Sequence, residues 1–284
     1  MMLARRVVIV LLSCGGLVAA AAMTGRVPRA PEPAHDFVQG AARSGQQELA
    51  AATFDDGTLG PFKADPVGSV RVVDDPTGRS RGKVAEMRYV ATRTPAEPAA
   101  ALSFTQTSTL GLGSTVFFSG DLYIPDTTFN LDNARVTRML LLFRAALGEK
   151  LDESSDVFVV VMHNGGCGLG MQWSRDDAYG GTRCPLAPIK AGRWHRIEAE
   201  LKLNSTVDAR NGVVRAWIDG YLAHQDTAVR FTNPARREAP LWRSFVVGAT
   251  RASADGGDLS DGGSISEVRY WDNVSFRTTR EVRR

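Results

Sequence analysis

From residue 52 onward, the chain is a series of short apolar runs separated by Gly, Pro, Asn and Asp residues. The strictest pattern lies between Arg196 and Leu203, where charged and apolar residues alternate at every position. This period of two predicts a strand with one face toward a core and the other toward water or a ligand. Helical three-four periodicity is scarce beyond the N-terminal region, so the predicted fold class is all-β.

Nine segments of this kind are predicted as strands. They cover residues 82–92, 114–126, 136–145, 155–166, 192–204, 212–220, 221–226, 242–253 and 265–276. Many short strands with turn residues between them are typical of a two-sheet antiparallel β-sandwich or a barrel. The number of strands suits one domain from about residue 52 to residue 277, followed by a basic tail at residues 278–284.

Residues 1–23 have the layout of a signal peptide, in which an arginine pair precedes an apolar run that ends in small alanines. Residues 13–16 interrupt the apolar run, so no permanent membrane span is predicted. Cys14 follows a loosely lipoprotein-like cleavage box, which leaves a lipid anchor as an alternative. Residues 24–51 are rich in Pro, Ala, Gln and Gly and predict a flexible linker. The protein is therefore expected to be secreted, periplasmic or held at the cell surface.

The charges of the chain are nearly balanced, with 34 Lys and Arg residues against 31 Asp and Glu residues. Such a balance provides no strong field to steer the protein onto nucleic acid, so no nucleic-acid partner is predicted.

Two cysteines, Cys167 and Cys184, lie beyond the export segment. In an oxidising compartment such a pair suggests a disulfide, which would contribute about 3 kcal/mol through loop-closure entropy. Two free thiols are the alternative. A zinc site is disfavoured because the pair lacks two nearby histidines.

The stretch NGVVRAWIDG predicts a strand that ends in a two-residue turn at residues 219–220, because an Asp-Gly pair accepts the positive φ angles of such a turn. The next strand should then pair back on this one. In that register Trp217 lies opposite Leu222, and Arg215 lies opposite His224.

Two placements are open for Arg215 and Trp217. In the favoured one, the even-numbered residues from Val214 to Ile218 face the core, whereas Arg215 and Trp217 face a groove. The indole would then stack on a sugar ring, and the guanidinium would bind a carboxylate or sulfate. In the other, Trp217 belongs to the core and Arg215 lies at its margin. The candidate ligand-binding residues are therefore Arg88, Arg215, Trp217 and His224.

Four segments arrive in an order that resembles a known family. They are SVRVVDDPTGRSRGKVAEMRYV, GRWHRIEAELKLN, NGVVRAWIDG and GGSISEVRYWDNVSF. Together they resemble the concanavalin A-like jelly roll of the polysaccharide lyases, most of all the alginate-lyase-type family 14, over roughly residues 52–276. The resemblance implies two packed antiparallel sheets, one of them curved into a groove for a polysaccharide. It also implies cleavage of uronate chains by β-elimination.

Such elimination requires a group that neutralises the uronate carboxylate, a base that removes the proton at C5, and an acid at the leaving oxygen. Where the family carries polar residues on its inner strands, the matching stretches here are Phe158–Val161 and Leu169–Met171, which are apolar. The favoured function is therefore binding of a polysaccharide, in particular an acidic one, without cleavage. The alternatives are an active lyase with a rearranged site and a laminin-G-like envelope or protein-interaction module.

For a rearranged lyase site, His163 is the candidate base and Asn164 the candidate partner of the carboxylate. Either Arg144 or Arg88 would assist from a neighbouring strand. The alternative is that His163 ends its strand and caps a turn.

No cofactor is predicted to be required, but three aspartates suggest a structural calcium ion. Asp55 and Asp56 lie near the start of the domain and Asp272 near its end, and the first and last strands of such jelly rolls often pair. Carboxylates are the hard oxygen ligands that Ca²⁺ prefers. The alternative is that these aspartates only form turns.

Overall fold

The computed structural model describes residues 45–78, 82–92, 99–125, 136–139, 141–147, 150–163, 170–173, 189–231, 241–253 and 264–279. They all lie in one compact unit, Ala41–Arg284. In these ranges all of the regular secondary structure is β-strand, so the prediction of an all-β fold is confirmed. No helix in the described part of the chain is long and apolar enough to cross a membrane.

In chain order the strands are β1 (Gln47–Ala52), β2 (Lys63–Asp65), β3 (Val70–Asp74), β4 (Lys83–Thr92), β5 (Ala99–Leu110), β6 (Thr115–Tyr123), β7 (Val136–Met139), β8 (Leu141–Leu147), β9 (Lys150–His163), β10 (Gly170–Trp173), β11 (Trp194–Lys202), β12 (Gly212–Ile218), β13 (Tyr221–Val229), β14 (Leu241–Ser253) and β15 (Ser264–Thr279). Each of the nine predicted segments overlaps a strand of the structure.

The strands form two antiparallel sheets. The eight-stranded sheet has the order β13-β12-β11-β6-β15-β4-β3, with β1 also paired to β15. The seven-stranded sheet has the order β10-β9-β7-β14-β5-β2, with β8 paired to both β14 and β9. Strands that are distant in sequence are neighbours in both sheets, which is the jelly-roll arrangement that the sequence resemblance implies.

The core lies between the two sheets and is rich in aromatic rings. Phe276 of the eight-stranded sheet and Phe245 of the seven-stranded sheet have ring centroids 5.3 Å apart. Phe118 lies 5.1 Å from Phe276 and 6.0 Å from Trp271. All four side chains are buried. Because each aromatic side chain buries roughly 150–250 Å², these contacts supply much of the apolar burial that holds the sheets together.

Two predicted domain boundaries are wrong by a few residues. The predicted linker at residues 24–51 overlaps β1, in which Ala50 is buried and pairs with Phe276. The predicted tail at residues 278–284 overlaps the end of β15, where the buried Thr278 hydroxyl donates to the carbonyl of Thr115 at 2.8 Å. Pairing with a neighbouring strand therefore orders residues whose own composition predicts a flexible segment.

The tight turn between β12 and β13 is confirmed. Asp219 has a φ of 51° and Gly220 a φ of 79°, the positive values that a type I′ turn requires. Trp217 lies opposite Leu222, as predicted.

The predicted pairing of Arg215 with His224 is wrong. The register shifts between Ala216 and Trp217, so Arg215 lies opposite Gln225, and His224 lies opposite Ala216. Such a bulge inserts one residue into a strand and moves every later pair by one position.

Candidate functional site

The seven-stranded sheet contains the stretches that the sequence resemblance assigns to the sugar groove. Gly170 of β10 pairs with Val161 of β9, and Gln172 pairs with Phe158. The two stretches, which are separated along the chain, are therefore neighbours. On the other side of β9, β8 pairs Phe143 with Val157.

The candidate catalytic residues are only partly brought together. His163 ends β9 and lies opposite Thr137 of β7, and Arg144 lies in the neighbouring strand β8, opposite Ser244. Asn164 lies outside the described residues, as do Cys14, Cys167 and Cys184. The catalytic assignment and the disulfide therefore remain predictions.

Arg88 cannot join His163 from a neighbouring strand, because β4 belongs to the eight-stranded sheet and β9 to the other. Arg88 instead bonds to Glu86 on its own strand. Of the two arginines considered as partners for His163, only Arg144 lies in the same sheet. Its place in β8 is opposite β9 between Asp152 and Val157, at least six residues from His163, so the register does not bring the two together either.

The favoured orientation of β12 is confirmed. Val214, Ala216 and Ile218 are buried, whereas Arg215 and Trp217 are partly exposed. They therefore lie on the face of the eight-stranded sheet that points away from the core. That sheet does not contain β9 and β10, so these two side chains lie in the other sheet from the stretches matched to the inner strands of the lyases.

Arg215 has protein partners on this face. Its Nη1 donates to Oε2 of Glu200 at 2.8 Å, and its Nε donates to the Gln225 side-chain oxygen at 3.1 Å. A carboxylate of a ligand would have to compete with Glu200 for the guanidinium, so Arg215 is a weaker candidate anchor than its sequence context indicates.

A set of three aromatic side chains lies elsewhere on the same face, and sequence analysis did not find it. The Tyr123 ring lies 5.4 Å from the Trp194 ring and 6.0 Å from the Tyr270 ring, between centroids. All three residues are partly exposed. They come from β6, β11 and β15, so only the long-range register places them together. The sequence alone shows only that each of these three strands has an aromatic residue at an outward-facing position, and it does not show that the three are neighbours.

Two arginines extend this set toward the edge of the sheet. The carboxylate of the buried Glu86 accepts hydrogen bonds from Nε of Arg71 and Nε of Arg88, and the Tyr270 hydroxyl donates to it at 3.2 Å. Burial pushes the pKa of Glu86 upward, but the bonds and charges of Arg88 and Arg71 outweigh it, so the pKa lies below its usual value. Glu86 is therefore a carboxylate held between two guanidinium groups.

Several carboxylates converge where β6 and β15 meet. Burial raises the pKa of Asp272 to about 7, assisted by the negative charges of Asp121, Asp55 and Asp75 and opposed by the backbone N–H of Asn273. Asp55 and Asp272 thus lie near each other, as the predicted pairing of the first and last strands implies.

Asp56 does not join them. Its carboxylate accepts bonds from the backbone N–H and the hydroxyl of Thr58, at 2.8 and 2.9 Å, which is the turn-forming alternative. Among the described residues, no group of three or more His, Cys, Asp or Glu side chains is arranged to hold a metal ion. Calcium at Asp55 and Asp272 remains a prediction that rests on the oxygen-rich surroundings.

A histidine–aspartate pair lies near the turn at Asp219. His195 is buried, with Nδ1 2.9 Å from Oδ2 of Asp219, and its Nε2 accepts the backbone N–H of Lys190 at 2.9 Å. The Arg196 backbone N–H donates to the other oxygen of Asp219. Because both ring nitrogens are satisfied inside the protein, this pair fixes the turn onto β11 and does not contact a substrate.

No protein-family model and no curated protein matches the chain. Solved structures do match it. A mutant of the alginate lyase Aly36B, in complex with alginate trisaccharide, has a TM-score of 0.55 and 13% identity over 83% of this chain and 99% of its own. The endo-β-1,4-glucuronan lyase from the fungus Trichoderma reesei has a TM-score of 0.52 and 16% identity over 82% of this chain and 94% of its own. The marine PL-14 alginate lyase from Aplysia kurodai has a TM-score of 0.51 and 15% identity, over 73% and 86%. At these identities the likeness concerns the fold, and the described strands form a jelly roll like those of these polysaccharide lyases.

Proposed function

We propose that the protein is an exported jelly roll that binds a polysaccharide, in particular an acidic one, without cleaving it. The observation that carries the proposal is the pairing of β9 with β10, which makes neighbours of the two stretches matched to the inner strands of the lyases. A structure of similar fold, the Aly36B mutant, is a complex with an alginate trisaccharide, and the seven-stranded sheet is the surface that we propose for the sugar in this protein.

The residues of that sheet favour binding over elimination. From Val157 to Met162, β9 contains only apolar residues. Apolar side chains can contact the C–H faces of a sugar, but they supply neither a base for the proton at C5 nor a group that neutralises the carboxylate. A complex without turnover is therefore the expected outcome.

An active lyase is the second candidate, because His163 ends β9, the strand that contains one of the two stretches matched to the inner strands of the lyases. A histidine at C5 would supply the base. Arg144 lies at least six residues along β9 from His163 in this register, roughly 20 Å away, so a different group would have to neutralise the carboxylate.

The test measures binding and elimination on the same exported protein. A glycan array that includes alginate and glucuronan fragments reports binding, and ultraviolet absorbance of the unsaturated product reports elimination. We expect binding without absorbance change. Absence of binding to any glycan would contradict the proposal.

His163→Ala distinguishes the two candidate functions, with His224→Ala as the matched control in the other sheet. Turnover in the parent protein that is lost in His163→Ala and kept in His224→Ala would establish the lyase instead.

A further inference from the structure

A row of side chains crosses five strands of the eight-stranded sheet. Trp194 pairs with Tyr123, Tyr123 with Tyr270, Tyr270 with Glu86, and Glu86 with Arg71. Directly opposite residues in paired strands project from the same face. Four spacings between strands, each about 4.8 Å, give the row a length of roughly 19 Å.

The row lies on the outer face of the sheet. A second row runs beside it, one residue along four of these strands. In this second row His195 pairs with Leu122, Leu122 with Trp271, and Trp271 with Ala85. All four are buried. Because successive residues of a strand point to opposite faces, the row itself faces away from the core.

The aromatic half of the row is held in place by polar contacts at both ends. The Trp194 indole N–H donates to the Thr77 hydroxyl at 3.2 Å, and the Tyr270 hydroxyl donates to Glu86 at 3.2 Å. With Tyr123 between them, the rings form a continuous, partly exposed aromatic surface. Rings with an apolar body and a fixed polar end are suited to a ligand that is both apolar and polar, such as a sugar.

The other end of the row is positively charged. Arg71 and Arg88 share the single carboxylate of Glu86, and their side chains are 59% and 50% exposed. Two guanidiniums against one carboxylate leave one net positive charge. Within the described ranges, Arg71 uses only its Nε, so its two Nη groups can donate a pair of parallel hydrogen bonds to a carboxylate.

We propose that Trp194, Tyr123 and Tyr270, with Arg71 and Arg88 at one end, form a second polysaccharide-binding surface that takes an extended uronate chain. The rings contact successive sugar units, and the arginines bind a uronate carboxylate. This surface belongs to the opposite sheet from β9 and β10, so the protein would hold two chains, or two parts of one chain. The choice of an acidic glycan rests on the proposed function as well as on the charge of the row.

The test compares variants of the row with matched variants outside it. Trp194→Leu and Arg71→Met alter the row, whereas Trp217→Leu and Arg215→Met change the same residue types on the same face, on β12. Arg71 is chosen over Arg88 because its side chain is more exposed and Arg88 continues to neutralise Glu86. Thermal unfolding by circular dichroism verifies that each variant is folded.

Titration of each variant with glucuronan oligosaccharides gives the result. We expect each row variant to lower the affinity at least about fivefold, the effect of one lost charge-assisted or stacking contact, and each control to stay within about twofold. With a neutral glucan oligosaccharide, Arg71→Met should bind like the parent protein.

Three outcomes would overturn the inference. If the parent protein binds no uronate oligosaccharide, this inference fails, and the proposed function fails with it when no other glycan on the array binds. If it binds and the row variants bind equally well, only the second surface fails. If the row variants and the controls lose affinity equally, the binding is not specific to the row, and the second surface fails as well.

Discussion

Gly248→Ala is expected to destabilise the protein strongly, because this glycine allows the two sheets to approach each other. Gly248 lies in β14 with a φ of 92°. A Cβ there would lie 2.4 Å from the carbonyl oxygen of Ala100, 2.8 Å from the sulfur of Met87 and 3.0 Å from the hydroxyl of Tyr89. That hydroxyl donates to the same Ala100 carbonyl at 2.9 Å and so joins β4 of one sheet to β5 of the other.

Three costs add for the alanine. The positive φ costs about 1 to 2 kcal/mol for a residue with a Cβ. Forcing a methyl group against a backbone carbonyl and two core side chains costs about 1 to 3 kcal/mol. Loss of the hydrogen bond from Tyr89 to Ala100 costs about 0.5 to 1.5 kcal/mol. The free energy of unfolding should therefore fall by about 2.5 to 6.5 kcal/mol.

Gly220→Ala is the matched control. Gly220 has a φ of 79°, but a Cβ there meets nothing within 4 Å, so only the backbone cost of about 1 to 2 kcal/mol applies. Urea unfolding followed by tryptophan fluorescence measures both variants. Equal losses of about 1 kcal/mol would refute the reasoning, because the crowding at Ala100 and Tyr89 would then contribute nothing.

Three further predictions concern the surface, the cysteines and the acidic cluster. Trp217→Ala should change the free energy of unfolding by less than about 1 kcal/mol in urea titrations, because the side chain lies on the outer face; a loss of about 3 to 5 kcal/mol would show that it is core. Thiol labelling of the denatured, non-reduced exported protein should find Cys167 and Cys184 unlabelled, and two labelled cysteines would reject the disulfide. Asp272 has a folded-state pKa of about 7 against an ordinary value of 3.8. Its contribution to stability is therefore full below pH 3.8 and is lost as the pH rises through 7. Asp272→Asn should be more stable than the parent protein at alkaline pH and nearly equal to it in acid, and added Ca²⁺ should stabilise the parent protein but not the variant.

The fold could be predicted where local sequence and pairing agree. β11 alternates buried and partly exposed residues over its whole length, as its sequence predicts. The sequence does not predict β1 and β5, because Gln47–Ala52 and Ala99–Leu110 are rich in Ala, Gln, Ser and Thr and carry little apolar alternation. Both are strands because they have partners, β15 for the first and β14 and β2 for the second. Tertiary pairing overrides weak intrinsic preference there.

The candidate site could be predicted only one strand at a time. Alternation correctly gave the faces of Arg215 and Trp217. Alternation does not give the sheet to which each strand belongs, so the predicted position of Arg88 on a strand next to His163 is wrong, because the two lie in different sheets. It also could not give Glu200 and Gln225 as the partners of Arg215, because those contacts depend on β11 and on a bulge in the hairpin.

The aromatic row depends on another bulge, in the WDN stretch of β15. Strict alternation would place Phe276 on the same face as Tyr270, because they are six residues apart. The pairing with β6 shifts between Asp272 and Ser275, and Asn273 adopts a φ of 49°. The added residue reverses the alternation, so Tyr270 points outward while Phe276 points into the core.

The same strand therefore serves two surfaces with aromatic side chains on both. Before the bulge, Tyr270 meets Tyr123 on the outer face; after it, Phe276 meets Phe118 in the core. A slip of one residue would bury the tyrosine hydroxyl and expose the phenylalanine, which fixes the register. The register that the core requires is thus the one that aligns the outer row, so the backbone already places these side chains next to one another before a sugar chain binds.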